Sequence, residues 1–198
     1  MTGLVLASAS AVRARLLREA GVPFDVRPAE IDETAVKSTL HQQGVAVADF
    51  ALALAEAKAL NVSAVSPQSL VLGCDQTLLC GARLFDKPRD IAEARENLAF
   101  LRGKEHQLIC AAVLAKNGET VWRYEERAHL SMREFSDAFL DTYLKSEGAQ
   151  IVSSVGCYQL EGLGAQLFSA VKGDYFTVLG LPLISLLGLL REQGVVAS

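Results

Sequence analysis

The sequence "LVLASASAVRARLL", residues 4–17, places a short apolar run, two serines and an arginine-bearing helical pattern in immediate succession. Residues 4–7 have the pattern of a buried strand, and residues 11–20 have that of a helix closed by Gly21. A strand followed at once by a helix predicts an α/β fold. The junction also concentrates hydroxyl and guanidinium groups, which a plain turn between a strand and a helix does not need.

The three arginines of this predicted helix are expected to point in different directions. At about 100° per residue, Arg13 falls within the arc of apolar positions, whereas Arg15 and Arg18 fall outside it and are predicted to be solvated. An inward-pointing guanidinium needs a partner, because an unpaired buried charge is too costly. The N–H groups of a helix N-terminus and the hydroxyls of Ser8 and Ser10 make the junction a candidate phosphate site. The alternative is that Ser10 only caps the helix and Arg13 pairs with a structural carboxylate.

The rest of the chain continues the alternation of strand and helix. Strand-like patterns occur at residues 24–28, 69–75, 107–115 and 120–133. Helical patterns occur at about 45–60, from a cap at Asp90 to near Gly103, from a cap at Ser136 to before Gly148, and after Pro182. We find no repeat, linker or low-complexity segment. The sequence therefore predicts one mixed α/β domain over residues 1–198.

Composition and charge exclude several classes of protein. The 198 residues are 51% hydrophobic, and 19 Lys and Arg against 23 Asp and Glu give a net charge of −4. No overall basic field is available to hold a nucleic acid. The apolar start lacks the basic flank of a signal peptide, and the apolar residues 178–190 are too short for a membrane span and are interrupted by Pro182. We expect a cytoplasmic protein that binds neither nucleic acid nor a membrane.

The cysteines and histidines do not form a metal-binding pattern. The four cysteines include no Cys-x-x-Cys pair and lie among apolar neighbours, which favours buried free thiols over disulfides or metal ligands. The three histidines share no ligand spacing, which argues against a zinc site.

Charged residues at four places are candidates for phosphoryl chemistry. Asp75 ends the apolar run of a predicted strand, where open α/β sheets tend to bind ligands. The acidic segment 29–33 places Glu33 in a loop, Lys58 lies in the long helix, and Lys87 lies in a loop. Each alone is compatible with a turn residue or a solvated charge. Together they supply carboxylates able to hold Mg²⁺ and cations able to neutralise phosphates.

Seven motifs occur in an order that resembles the Maf-type nucleoside triphosphate pyrophosphatases. They are "LASASAVRARLL", "EIDE", the Ala-x-x-Lys-Ala form at 55–59, "GCDQ", "DKP", "LRGKEH" and "GLGAQLF" with "VKGDYFTVLGLPL". The resemblance covers nearly the whole chain. It implies an elongated α/β domain with a mixed sheet and a cleft between two lobes. It also implies the reaction NTP + H₂O → NMP + pyrophosphate with a divalent metal, Mg²⁺ or Mn²⁺, and leaves a homodimer open.

The resemblance also implies roles for individual residues. Asp75 matches the acid that accepts a proton from the attacking water, and Asp75 and Glu33 match the acids near the metal. Lys58 and Lys87 match the lysines that neutralise the triphosphate. The residues that match the motif holding the triphosphate are Ser8, Ser10 and Arg13.

Departures from the family pattern bear on the nucleobase. The usual Pro-Arg-Arg is replaced by residues 11–13, Ala-Val-Arg, and Ser154 stands where the dTTP/UTP branch has a lysine. Gln76 and Glu161 resemble the branch that acts on 7-methyl-GTP, and a carboxylate suits the N–H groups of a guanine ring. We therefore assign Val12, Gln76 and Glu161 to substrate specificity and favour a methylated purine. The alternatives are dTTP or UTP as substrate, and a non-catalytic nucleotide-binding regulator linked to septum control.

Overall fold

The computed structural model describes residues 3–197. Its strands are β1 (Leu4–Leu6), β2 (Phe24–Val26), β3 (Leu70–Cys80), β4 (Arg83–Phe85), β5 (Glu105–Lys116), β6 (Glu119–Met132) and β7 (Phe168–Lys172). Its α-helices are α1 (Ala11–Glu19), α2 (Glu33–Gln42), α3 (Phe50–Ala64), α4 (Ile91–Leu101), α5 (Asp137–Glu147), α6 (Tyr175–Val178) and α7 (Leu183–Glu192). Short 3₁₀ helices lie at Val47–Asp49, Gly148–Ser153 and Gly162–Leu167.

The strands form a mixed sheet in the order β2-β1-β3-β5-β6-β7, with β4 paired to β3. Strand β1 runs parallel to both β2 and β3, whereas the β3–β4 and β6–β7 pairs are antiparallel. The pairing of β1 with β3 runs as far as Leu6 opposite Leu72. The predicted α/β class and mixed sheet are confirmed.

Most predicted elements are present, but several bounds were wrong. Strand β3 extends well beyond the predicted 69–75, and the predicted strand 24–28 is only three residues long. Helix α2 was not predicted, and the loop position predicted for Glu33 was wrong: the acidic segment 29–33 indicates a solvated loop, but its last residue, Glu33, is the first residue of α2. In the structure the Asp32 carboxylate accepts a hydrogen bond from the Ala35 N–H at 3.0 Å and so caps α2. The short elements β4, β7 and α6 were also missed.

The described residues fall into two compact units. The first comprises residues up to Gln76, Ile109–Arg127 and the residues from Asp174 onward; the second comprises Thr77–Leu108 and Ala128–Gly173. The core of the first unit combines apolar side chains of β1, β3, α1 and α7, including Leu6, Leu17, Leu72, Leu186 and Leu190. Each buried leucine contributes about 1.5–3 kcal/mol relative to an exposed one. This core holds α1 against the sheet through the second half of the helix.

The apolar C-terminal stretch is a core element of the first unit. Pro182 occupies the N-cap position of α7, and Leu183, Leu186 and Leu190 are buried in the core. Across residues 3–197, no helix is both long enough and apolar enough to cross a membrane.

The four cysteines are free and buried, as predicted. Burial raises the pKa of the Cys74 and Cys157 thiols to about 11 and raises the pKa of Cys110 further. These three thiols are therefore neutral at pH 7 and poor nucleophiles.

A histidine and a tyrosine are buried together in the second unit. His106 Nε2 lies 2.8 Å from the Tyr158 hydroxyl, and His106 Nδ1 has no hydrogen-bond partner among the described residues. Burial lowers the pKa of His106 to about 4. The folded protein therefore holds this imidazole in its neutral form at pH 7.

We expect His106 to make the protein acid-sensitive. Between the unfolded pKa near 6.5 and the folded pKa near 4, only the unfolded chain binds the proton, so stability falls as the pH is lowered through this window. The loss amounts to about 2 kcal/mol at pH 5. Urea unfolding of wild type and His106→Gln at pH 7, 6 and 5 measures it. An equally steep loss in the variant would assign the acid sensitivity to other groups.

Candidate functional site

The junction between β1 and α1 is organised by the two predicted serines. Ser10 is the N-cap of α1, with its hydroxyl accepting a hydrogen bond from the Arg13 N–H at 3.4 Å. The buried Ser8 Oγ accepts from the Ser10 N–H at 3.3 Å and from Arg13 Nη1 at 3.0 Å. Because Ser8 Oγ serves as acceptor in both bonds, its own hydrogen can be donated to a ligand oxygen.

Arg13 points inward, as predicted, but its partners in the structure are backbone carbonyls. Its Nε donates to the Gly180 carbonyl at 2.7 Å, and Nη1 donates to the Cys74 carbonyl at 3.0 Å. Neither of these two bonds goes to a carboxylate, which was the alternative partner predicted for Arg13. Together with the bond from Nη1 to Ser8 Oγ, they fix the orientation of the guanidinium. Such a fixed fork suits a phosphate oxygen.

The other two arginines of α1 differ in exposure, although both were predicted to be solvated. Arg18 is exposed, as expected for a solvated charge. Arg15 is half-buried and interacts with another group, so the prediction of an ordinary solvated residue was wrong for it. The helical wheel missed this because partial burial at the edge of an apolar arc depends on neighbouring elements.

Asp75 lies inside strand β3 and not at its end, where the sequence had placed it. The strand continues to Cys80. Its parallel neighbour β1 stops at Leu6, opposite Leu72. The backbone therefore carries Asp75 past the end of β1, and the adjacent Cys74 carbonyl meets Arg13 from the β1–α1 junction. The Asp75 side chain is buried, with 7% of the residue exposed.

Lys58 joins the two predicted carboxylates. Its Nζ lies 2.5 Å from Asp75 Oδ1 and 2.7 Å from Glu33 Oε1. Lys58 is only 8% exposed, which excludes a solvated lysine, whereas the Glu33 side chain is 48% exposed at the first position of α2. Removing one partner from a buried pair typically costs about 3–5 kcal/mol, because it leaves an uncompensated charge. The structure thus brings Asp75, Glu33 and Lys58 together.

Burial dominates the electrostatics of Asp75. Removal from water raises the pKa of its carboxyl group above the usual value, while the cations of Lys58 and Arg13 oppose this shift. A raised pKa makes the ionised carboxylate a stronger base than a solvated one. Over residues 3–197, no group of three or more His, Cys, Asp or Glu side chains is arranged to hold a metal ion.

A glycine sets the distance between α3 and β3 beside this cluster. A Cβ atom on Gly73 would lie 2.1 Å from the Ala55 carbonyl oxygen and 2.7 Å from the Ala59 nitrogen. Gly73 lies two residues before Asp75, so both are on one face of β3. The same close approach allows Lys58 of α3 to contact Asp75.

We expect Gly73→Ala to impair both stability and activity. The new methyl group forces α3 away from β3, which costs about 1–3 kcal/mol as overpacking and separates Lys58 from Asp75. Urea unfolding and initial rates measure the two effects. Gly188→Ala is a matched control, because a Cβ there meets nothing within 4 Å. Equal behaviour of the two variants would contradict the spacing role of Gly73.

The residues assigned to specificity have different surroundings. Gln76 Nε2 donates to the carbonyls of Thr177 at 2.8 Å and Val178 at 3.2 Å. Val12 is 38% exposed on the first turn of α1. Glu161 is exposed, at the N-cap of the 3₁₀ helix that follows it, and belongs to the second unit. A role in reading the base stays a prediction for all three.

Lys87 also belongs to the second unit. It is exposed in the loop that follows β4. Its predicted contact with the triphosphate stays a prediction.

Sequence reasoning missed the backbone groups that complete the site. The carbonyls of Cys74 and Gly180 hold Arg13, and the missing side chain of Gly73 admits α3. The signal in the sequence was Gly73 and Gly180, which lie within the motifs "GCDQ" and "VKGDYFTVLGLPL".

Comparisons with known proteins give matches along nearly the full chain. Residues 3–193 match the family described as "Maf-like protein". A Rhizobium meliloti protein named 7-methyl-GTP pyrophosphatase is 49% identical over 193 residues, 98% of this chain and 97% of that protein. A Brucella abortus protein of the same name is 48% identical, covering 96% of each chain. A Paramagnetospirillum magneticum protein named nucleoside triphosphate pyrophosphatase is 50% identical over 190 residues, 96% of this chain and 98% of that protein.

Proposed function

Since the chain belongs to the family of Maf-like proteins, we propose that it is a nucleoside triphosphate pyrophosphatase, a hydrolase that converts a triphosphate into the monophosphate and pyrophosphate. The names of its similar relatives support this activity. Two of those relatives carry the name 7-methyl-GTP pyrophosphatase, which supports a modified guanine nucleotide as substrate. We expect the enzyme to act in the cytoplasm on free nucleotides, without nucleic-acid or membrane partners; a homodimer stays a prediction.

The observation that carries the proposal is the link from Arg13 to Asp75. Arg13 Nη1 donates to the carbonyl of Cys74, and the next residue carries the buried carboxylate paired with Lys58. A cation and helix N-terminus suited to phosphate therefore lie next to a general-base candidate. Water attack at a phosphorus atom requires both, because the nucleophile must lose a proton as negative charge develops on the leaving group.

The carboxylates fit a divalent metal. Asp75 Oδ1 and Glu33 Oε1 lie 2.5 Å and 2.7 Å from Lys58 Nζ, so the lysine brings the two carboxylates close to each other. Mg²⁺ is usually held by one or two carboxylates together with substrate phosphates and water. We propose that Asp75 and Glu33 hold Mg²⁺ or Mn²⁺, which when bound would neutralise charge on the triphosphate.

In the proposed reaction, water attacks the α-phosphorus and pyrophosphate leaves. Asp75 accepts the proton from the water, since burial raises the pKa of its carboxyl group and makes the carboxylate a stronger base than a solvated one. Arg13, the Ser8 hydroxyl and the N-terminus of α1 bind phosphate oxygens and stabilise the charge that develops on the leaving group. Lys58 fixes the Asp75 carboxylate and neutralises the triphosphate, a role in which we expect Lys87 to assist.

A pyrophosphate-release assay tests the proposal. The purified protein is mixed with 7-methyl-GTP, GTP, dTTP, UTP and ATP, each with Mg²⁺ or Mn²⁺, and the products are identified by chromatography. We expect the monophosphate and pyrophosphate in equal amounts, fastest from 7-methyl-GTP. A preference for dTTP or UTP would assign the protein to the dTTP/UTP branch of the family. Tight nucleotide binding without turnover would identify a non-catalytic regulator.

We expect Glu161→Gln to change the choice of base selectively. If this carboxylate accepts hydrogen bonds from the N–H groups of a guanine ring, the amide places a donor against a donor edge. Activity on guanine-type triphosphates should fall about 5- to 150-fold in kcat/KM, while dTTP and UTP hold steady or rise. Val12→Arg should shift the preference as well. An equal loss on every substrate would remove Glu161 from base recognition.

A further inference from the structure

The side chain of Gln76 is held by the backbone of α6. Its amide nitrogen donates to two carbonyls in that helix, Thr177 at 2.8 Å and Val178 at 3.2 Å. An amide nitrogen carries two hydrogens, so these two bonds use its donor capacity. To donate to a nucleobase, Gln76 would have to release one of the two carbonyls.

The turn that Gln76 holds is itself tightly constrained at Thr177. This residue is fully buried, its N–H donates to the Asp174 carboxylate at 3.0 Å, and its hydroxyl donates to Glu126 Oε2 at 2.7 Å. The Thr177 carbonyl accepts from the Gly180 N–H at 3.0 Å as well as from Gln76. Gln76 therefore contacts the same carbonyl that fixes the peptide of Gly180.

Gly180 transmits this constraint to the arginine. Its carbonyl accepts from Arg13 Nε at 2.7 Å, and its φ of +97° is a conformation that residues with a Cβ rarely adopt. A Cβ at this position would lie 3.6 Å from Gln76 Oε1 and 3.7 Å from Arg13 Nε. The Gln76 amide and the Arg13 guanidinium thus both lie beside Gly180.

We propose that Gln76 is a positioning residue for phosphate binding: it fixes the α6–α7 turn so that the Gly180 carbonyl orients the Arg13 guanidinium. The inference rests on the proposed function and assigns Gln76 a role other than reading the base. It requires that loss of the amide weaken binding of every triphosphate by the same factor, whatever its base.

A ligand without a base separates the two roles. We would measure binding of inorganic tripolyphosphate with Mg²⁺ by calorimetry for wild type, Gln76→Met and, as matched control, Glu161→Gln. Methionine keeps the length of the side chain but donates no hydrogen bond. We expect Gln76→Met to weaken tripolyphosphate binding about tenfold, as for a loosened charge-assisted contact, and to raise KM for purine and pyrimidine substrates by the same factor with kcat nearly unchanged. Glu161→Gln should leave tripolyphosphate binding unchanged.

A double-mutant cycle tests whether Gln76 acts through Arg13. Arg13→Lys keeps the charge but lacks the Nε–H that contacts Gly180, so in that background Gln76→Met should have little further effect on tripolyphosphate binding. Full additivity, or unchanged tripolyphosphate binding with an altered purine-to-pyrimidine ratio, would overturn the inference. A wild-type protein that binds no tripolyphosphate would overturn it too. Absence of turnover on every nucleotide would instead refute the proposed function, while the binding cycle would still decide the role of Gln76.

Discussion

Replacing Asp75 with asparagine should reduce pyrophosphate release at least about 100-fold in kcat. The amide has nearly the same shape but cannot accept a proton from water and is a poor ligand for a divalent metal. The fold should persist, because Lys58 keeps its contact with Glu33 and can still donate to the amide oxygen at position 75. Initial rates with saturating metal and substrate, measured beside thermal unfolding, test this expectation.

The matched control for this variant is Asp25→Asn. Asp25 is an exposed carboxylate on β2 of the same unit, so its replacement should change neither rate nor stability. More than about a tenth of wild-type activity in Asp75→Asn would remove Asp75 from the role of general base. A rate loss accompanied by loss of cooperative unfolding would assign Asp75 to structure only.

Replacing Arg13 with alanine should raise KM for every nucleoside triphosphate about 10- to 100-fold, the range for a lost charge-assisted contact. Because Arg13 is expected to contact the phosphates and not the base, the preference among bases should not change. Alanine also leaves the carbonyls of Cys74 and Gly180 without this donor, so we expect lower stability as well. Arg13→Lys, which keeps the charge, should recover part of the affinity.

Arg18→Ala is the matched control for Arg13→Ala. Arg18 is exposed on the same helix and should leave KM unchanged, whereas the half-buried Arg15 is not a neutral comparison. Equal increases in KM for Arg13→Ala and Arg18→Ala would mean that the positive charge of the helix, and not the oriented guanidinium, attracts the triphosphate. Isothermal titration at two salt concentrations distinguishes these cases, because a long-range attraction is screened by salt.

Sequence reasoning succeeded where the determinants are local. Ser10, Asp90 and Ser136 each cap the helix that was predicted to begin there, because the cap residue bonds an N–H only three positions ahead. The inward direction of Arg13 followed from helical periodicity alone. Helix α2 also begins at a local cap, because Asp32 bonds the Ala35 N–H. It was not predicted because three acids within residues 29–33 indicate a solvated loop.

The parts of the site that could not be predicted depend on distant backbone. Arg13 contacts carbonyls 61 and 167 residues away along the chain, and no residue type signals a carbonyl. Lys58 lies on a helix that is apolar on most sides, so periodicity did not show which face carries it toward Asp75. Asp75 was placed at a strand end because the apolar run stops there, whereas the strand itself continues through Gln76 and Thr77.

The three bonds of Arg13 also bear on when the protein can become active during its synthesis. The guanidinium contacts Ser8, the Cys74 carbonyl and the Gly180 carbonyl, so its orientation requires a segment that the ribosome makes long after the arginine itself. Until residue 180 has left the exit tunnel and folded against α1, the nascent chain carries the serines and the acid but not an oriented phosphate-binding fork. An unfinished chain is therefore not expected to hydrolyse the nucleotides that surround it during translation.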